Sequence, residues 1–441
     1  MVLALAAKRL PALATMHALV VLAVGVYWAW SSRRPAQVVF AISYIGAAEV
    51  LWRITGASLL WEFGKYSICL IALVSFLRRP HARANKLALV YFALLLPSAI
   101  VTALHASGSG FLRDYLSFNL SGPLALALCA FALSSIRLTA SDLEKVLISI
   151  LGPMISVAAI CVSGTLNLGA DYEFGTNSNF DTSGGFGPNQ VSSILGLGLL
   201  AGYLWTQRQK RFSSRWLLGA VLVLWFAAQA TLTFSRTGLW IGIITVGLHS
   251  IHMMNRDRIP LVVGAIIVAG LFYFVIFRSL DEFTGGKLSE RYAEKGFTRR
   301  EDIAQADLQL AIRNPIFGVG VGMSGRERQR QLGVHGIPHT EFTRLLSEHG
   351  LTGLLALGTL FAMLGFNLKN ANSAERPWRT AFAAYSLLFM MVTGMRLAAP
   401  AMAMGLAMVS TSNHSRRRMN GLRPQARGQG RMPWKTIDRS V

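Results

Sequence analysis

Arg236 lies in Phe234-Ser235-Arg236-Thr237-Gly238, a short hydrophilic break between two apolar runs. An arginine at such a boundary either snorkels to lipid phosphate or clamps a specific anion, because a guanidinium presents fixed donors that match phosphate oxygens in pairs. Thr298-Arg299-Arg300-Glu301 has the spacing of a capping box, which puts Arg299 and Arg300 in the first turn of a helix. The helix dipole disfavours cations there, and a bound anion reverses that penalty. The plainer reading of the two arginines is a solvated basic face. His339 follows Pro338 at the mouth of a long apolar run. A neutral imidazole there can take a proton near neutral pH, as a general base must, or can simply open the helix. His335 is four residues earlier, but Gly336 and Pro338 argue against one helical face and so against a metal pair. Asp171-Tyr172-Glu173 reads as a solvated loop pair, with a divalent-cation site as the alternative. Glu62 with Lys65, and Arg344 with Glu348, have the spacing of helix-face pairs, although the first could also serve transport. No metal site is assigned. Cys69, Cys129 and Cys161 fall in apolar runs and supply neither a disulfide framework nor ligand spacing.

Membrane helices must position these groups. The chain has 441 residues, 53% hydrophobic and only 15% charged, with a mean hydropathy of +0.44. Apolar segments at 11–30, 36–52, 57–77, 86–104, 116–136, 146–166, 189–206, 216–234, 238–254, 259–278, 341–368, 378–396 and 399–411 predict an all-α polytopic protein. About twelve of them should cross the bilayer, with one early segment partly re-entrant. The first run, from Leu10 to Trp30, is too long for a cleaved signal peptide. The net charge of +22 would suggest nucleic acid in a soluble protein. Here the basic residues cluster in alternate loops (Arg78 to Lys86, Arg208 to Arg215, Arg256 and Arg258, Lys369 to Arg379), which the positive-inside rule makes cytoplasmic. The basic tail 412–441 then lies against anionic lipid, and no nucleic-acid partner is expected. The chain divides into helices at 1–278, a long outer loop at 279–340, helices at 341–411 and the tail. Within the outer loop, Ile303, Ala306, Leu310 and Ala311 predict an amphipathic helix of about fourteen residues, ended by Asn314-Pro315.

The chain resembles the O-antigen ligase and polymerase superfamily of bacterial membrane glycosyltransferases. Gly187-Pro188-Asn189, Ser235-Arg236-Thr237-Gly238, Arg300 followed by a helix into Asn314-Pro315-Ile316-Phe317-Gly318-Val319-Gly320, and the run from His339 to Leu354 carry the resemblance. It covers roughly 185–365, and Thr340 stands where the family often has asparagine after the histidine. The resemblance implies transfer of a glycan from undecaprenyl diphosphate to an acceptor at the periplasmic face of the inner membrane. His339 would be the base, and Arg236 and Arg300 would hold the diphosphate, with Arg299 a weaker member. Neither a cofactor nor a metal is implied. Ligase is favoured over polymerase because the outer segment from Lys287 to Arg330 is basic. Arg326 and Arg328 within it could meet phosphates on a lipid A–core acceptor. A lipid-linked glycan transporter or a scaffold protein is the competing class, but neither repeated halves nor a central charged path is visible.

Overall fold

A computed structural model describes residues 1–31, 34–78, 84–105, 109–169, 171–253, 270, 272–294, 300–336 and 338–411. It is a helical protein. Helices α1 (Val2–Arg9), α2 (Pro11–Ser31), α3 (Ala36–Ile54), α4 (Phe63–Arg78), α5 (Leu87–Ala93), α6 (Pro97–His105), α7 (Ser109–Leu133) and α8 (Ala140–Leu166) build the first half. α9 (Pro188–Thr206), α10 (Ser214–Leu232) and α11 (Arg236–Met253) follow, and a π-helical turn at Phe272–Phe277 leads into α12 (Arg278–Phe283) and α13 (Lys287–Ala293). The outer segment continues through α14 (Arg300–Arg313) and α15 (Ser324–Leu332), and α16 (Glu341–Lys369), α17 (Arg376–Thr393) and α18 (Ala399–Met408) close the chain. The only strands among the described residues are two-residue pieces, Arg137–Leu138 and Ser410–Thr411, paired in parallel.

Local sequence explains the helix starts. Thr139 and Asp142 form a reciprocal capping box on α8, Ser213 accepts the Trp216 amide at 3.2 Å on α10, and Pro188 occupies the first turn of α9. Seven described segments are long and apolar enough to cross a membrane: α2, α3, α5 with α6, α7, α8, α10 and α16. The chain is therefore a multi-pass membrane protein. Of the early segments, α2 and α3 are continuous helices of 21 and 19 residues. The segment expected at 399–411 is not a lipid-facing span. α18 has 10 residues, all of them buried, and at 1.5 Å per residue it covers only about half of a ~30 Å core. It packs between α7 and α17. Most of the 259–278 candidate, Arg256, Arg258 and the tail lie outside the described residues.

Small residues bring the helices together. Gly238 of α11 presses on the Ser192 backbone of α9, Gly196 of α9 faces Gly238, and Gly122 of α7 lies against Met395, so a Cβ at any of the three would collide. One turn, 394–398 between α17 and α18, is held by buried charges from three other helices. Lys65 Nζ donates to the Met395 carbonyl at 3.2 Å, Arg53 Nη2 to the Arg396 carbonyl at 3.3 Å, and the Ala398 amide donates to Glu49 Oε2 at 2.5 Å. The Met395 amide donates to Glu341 Oε2 at 3.2 Å. The Glu49–Arg53 and Glu62–Lys65 pairs are thus structural clamps on this turn, with their charges compensated inside the bundle.

Candidate functional site

The turn that carries Arg236 is built from both sides. Asn189 Oδ1 accepts from Ser235 Oγ at 2.7 Å, and Ser192 Oγ donates to the Ser235 carbonyl at 2.8 Å while accepting the Gly238 amide at 3.1 Å. The Gly187-Pro188-Asn189 and Ser235-Arg236-Thr237-Gly238 motifs are therefore one unit in space. Phe234 takes a positive φ of 56°, a strained value for a non-glycine residue. Its ring is fully buried and stacks on Phe174 with centroids 5.8 Å apart. The loop bearing Phe174 is tied to the same turn through the Asn179 amide, 3.0 Å from the Thr233 carbonyl. Arg236 leaves this frame toward the outer segment, where its Nη1 donates to the Glu294 carbonyl at 2.8 Å. Arg291 joins it, donating from Nε to the Phe234 carbonyl at 3.2 Å.

Arg300 opens α14, a 14-residue helix that buries Ile303, Ala306, Asp307 and Leu310. Burial, together with the nearby Arg291 and Arg236, lowers Arg300 from its ordinary value. Three guanidinium groups therefore share one electrostatic neighbourhood. Asp307 pairs with Arg328 of α15, and both side chains are completely buried. Burial raises the Asp307 carboxyl, against the pull of Arg328. A second arm of Arg328 donates to the Gly336 carbonyl at 2.5 Å, which fixes the approach to His339.

His339 sits half-buried just before α16. Its imidazole is pulled down to about 4, by burial first and then by Arg300, Arg396 and Arg328. It is therefore neutral at physiological pH. Arg396 Nη2 donates to the Pro338 carbonyl at 2.9 Å, so the clamped 394–398 turn delivers a guanidinium beside the histidine. α16 itself is broken at Gly350 (φ 56°, ψ −130°). The break receives the loop after α14. Val319 and Gly320 amides donate to the Ser347 and Glu348 carbonyls at 2.9 and 3.1 Å, and Leu351 returns a bond to the Pro315 carbonyl at 2.7 Å. Gly318 and Gly350 both have positive φ and lie against opposing backbone, so only glycine suits either position. Arg344 spans Glu341 and Glu348, and also reaches Asn119 Oδ1 at 3.1 Å. A cavity of about 450 Å³ opens here, with Pro338, Thr340, Arg344 and Arg396 in its wall.

Arg300 lies within electrostatic reach of both Arg236 and His339, with Arg291 beside the first and Arg396 beside the second. Arg299 lies outside the described residues. Two expectations are corrected. Arg328 is not free to meet an acceptor, because it is fully buried and bound to Asp307 and Gly336. The basic outer segment is not a continuous positive face either, because Lys287, Arg291 and Arg330 pair with Glu290, Glu294 and Glu327. Arg326 is exposed on α15. His335 is exposed and His349 buried within α16, apart from one another. Tyr172 Oη donates to Asp181 at 2.9 Å, and no cluster of three metal-ligating side chains occurs among the described residues. Arg396 was not legible as a site residue, because a single cation between Met395 and Leu397 reads as the end of a span.

The comparison with known proteins falls on this region. Residues 221–358 match the family model described as O-antigen ligase. The match bears out the resemblance to the O-antigen ligase and polymerase superfamily, whose members are glycosyltransferase-like membrane enzymes. The matched segment contains Arg236, Arg291, Arg300, Asp307, Arg328, His339 and the Gly350 break in α16, and leaves out Asn189 and Arg396. It covers about a third of the chain. No curated protein and no solved structure gives a significant match.

Proposed function

We propose that the protein is an O-antigen ligase, transferring a polysaccharide from undecaprenyl diphosphate to lipid A–core at the periplasmic face of the inner membrane. The observation that carries this reading is that Arg300 has Arg236 and Arg291 on one side and a neutral, half-buried His339 on the other, all inside the segment matched by the O-antigen ligase model. Arg291 is paired with Glu294, and a diphosphate would match the planar donor forks of Arg236 and Arg300.

The acceptor hydroxyl attacks the anomeric carbon, and its proton passes to the free nitrogen lone pair of His339. The bond from that carbon to the diphosphate oxygen breaks, and the electron pair leaves with the diphosphate, where Arg236 and Arg300 stabilise the growing negative charge. Attack from the face opposite the leaving group inverts the anomeric centre. His339 gains basicity at the right moment. Burial first, and then Arg300 and Arg396, hold the imidazole low; a bound diphosphate would offset the arginine part and move the pKa up toward the working pH. The arginines supply the positive charge that a divalent cation supplies in other transferases, so the reaction is metal-independent. A chelator titration should leave turnover unchanged; loss restored by magnesium or manganese would contradict this.

The test is reconstituted transfer with defined donor and acceptor, in the wild type and in Arg236→Lys and Arg300→Lys. Each variant keeps the charge and loses the fork, and each should lose about tenfold to a hundredfold in turnover, on the scale of one or two charge-assisted hydrogen bonds of ~1.5–3 kcal/mol. Near-normal donor affinity and turnover in both would remove the clamp. Longer carrier-linked chains formed without lipid A–core would make the protein a polymerase of the same superfamily.

A further inference from the structure

The cavity of about 450 Å³ between α7, α15 and α16 has no part in the diphosphate clamp, since Arg236, Arg291 and Arg300 are all absent from its wall. Its chemistry also opposes an anion. Asp114, Glu341 and Glu348 line it against Arg344 and Arg396, so carboxylates outnumber guanidiniums. The remaining wall includes the aromatic residues Tyr115 and Phe118 and the Asn119 amide, with Lys65 Nζ 5.7 Å from the Phe118 ring centroid. Phe118 is 44% exposed. The polar groups are rigid. Glu348 accepts from Ser324 at 2.9 Å and from Arg344 at 2.7 Å, and Asn119 donates to the Tyr115 carbonyl at 2.9 Å while accepting from Arg344. Each carboxylate offers about four acceptor sites, so capacity remains for further donors.

We propose that this cavity is a sugar subsite, and that it holds the terminal sugar of the acceptor. A pyranose ring presents an apolar C–H face and a rim of hydroxyl groups that both donate and accept. An aromatic platform beside carboxylate, amide and guanidinium groups complements both features. The assignment to acceptor rather than donor follows from position. Pro338 and Thr340, the neighbours of His339 on either side, line the cavity. His339 is not itself in the wall, so a sugar held there would reach the base only across the rim at 338–340, while the anionic leaving group is held by Arg236 and Arg300, which the cavity excludes. The inference rests on the transferase reading for the word acceptor, and on the cavity alone for the word sugar.

Two variants test it. Gly325 lines the cavity and a Cβ there would meet only Arg328 Nη2, at 4.0 Å, so Gly325→Trp fills the space without forcing the backbone. Phe118→Ala removes the platform and covers the case in which the first variant fails to fold. Equilibrium binding of delipidated core oligosaccharide and of carrier-linked donor is measured on the full chain in lipid nanodiscs, alongside transfer. The expected result is oligosaccharide affinity and acceptor KM each weakened by about tenfold, with donor affinity within about twofold of wild type. Unchanged oligosaccharide affinity in both variants overturns the subsite. Loss of donor affinity with oligosaccharide affinity intact also overturns it, placing the donor's sugar there instead. Oligosaccharide binding lost in the variants while the wild type transfers nothing supports the subsite and defeats the transferase reading, so the two fail separately.

Discussion

His339 is set to accept a proton by its surroundings more than by its own chemistry. Burial and three guanidinium groups hold its pKa near 4, well below the ordinary histidine value. As general base it should contribute about 10²- to 10⁴-fold, and His339→Ala should lose that factor in turnover while donor affinity stays close to wild type. Wild-type turnover in purified, folded His339→Ala would eliminate the base role. The sign of a second effect is fixed by the same field. Arg396→Gln keeps a donor toward the Pro338 carbonyl but removes a positive charge, which favours the imidazolium and raises the His339 pKa. The acid limb of kcat/KM, which reports the free enzyme, should therefore move to higher pH in Arg396→Gln. A limb that stays in place would separate Arg396 from the histidine.

Between α14, α15 and α16 the elements are joined by a few contacts that sequence shows only in part. The 14-residue helix of the outer segment, Arg300–Arg313, was legible because its apolar residues recur at helical spacing and Asn314-Pro315 stops it. Partner choice across helices was not. Nothing in the order of residues says that Arg328 turns inward to Asp307 while Arg326, two positions earlier, faces water. In the same way α18 has a hydropathy suited to lipid, but its neighbours α7 and α17 take that surface instead. The Asp307–Arg328 pair should be costly to break from one side only. Asp307→Asn leaves a buried guanidinium without its counter-charge, a loss of about 3–5 kcal/mol, and should appear as a large drop in melting temperature. Gly350→Ala meets both the positive φ and the Pro315 carbonyl. It should destabilise by about 1–3 kcal/mol, the usual cost of such backbone strain, and loosen the link between the 315–320 loop and α16. Thermal denaturation in detergent checks both; unchanged melting of Gly350→Ala would show that the helix break is not required by the latch.

Across the whole molecule, residues outside the family match support the third of the chain that lies within it. Asn189 braces the Arg236 turn, Glu49, Arg53 and Lys65 clamp the turn that carries Arg396, and Asn119 steadies Arg344. Asn189 opens α9, while Lys210, Arg211 and Arg215 follow its other end. The positive-inside rule predicts a cytoplasmic basic end, and the proposed function requires the arginine–histidine cluster on the opposite side. The native cysteines offer a clean background for a test, since Cys69, Cys129 and Cys161 are all buried in the bundle and out of reach of a bulky aqueous reagent. Arg326→Cys and Arg211→Cys place single exposed thiols at the two ends. In intact spheroplasts a membrane-impermeant maleimide should label Arg326→Cys at once, and Arg211→Cys only after permeabilisation, with wild type silent throughout. The reverse order would put the site in the cytoplasm, where lipid A–core carried on the outer leaflet could not reach His339, and the ligase assignment would fall with the topology.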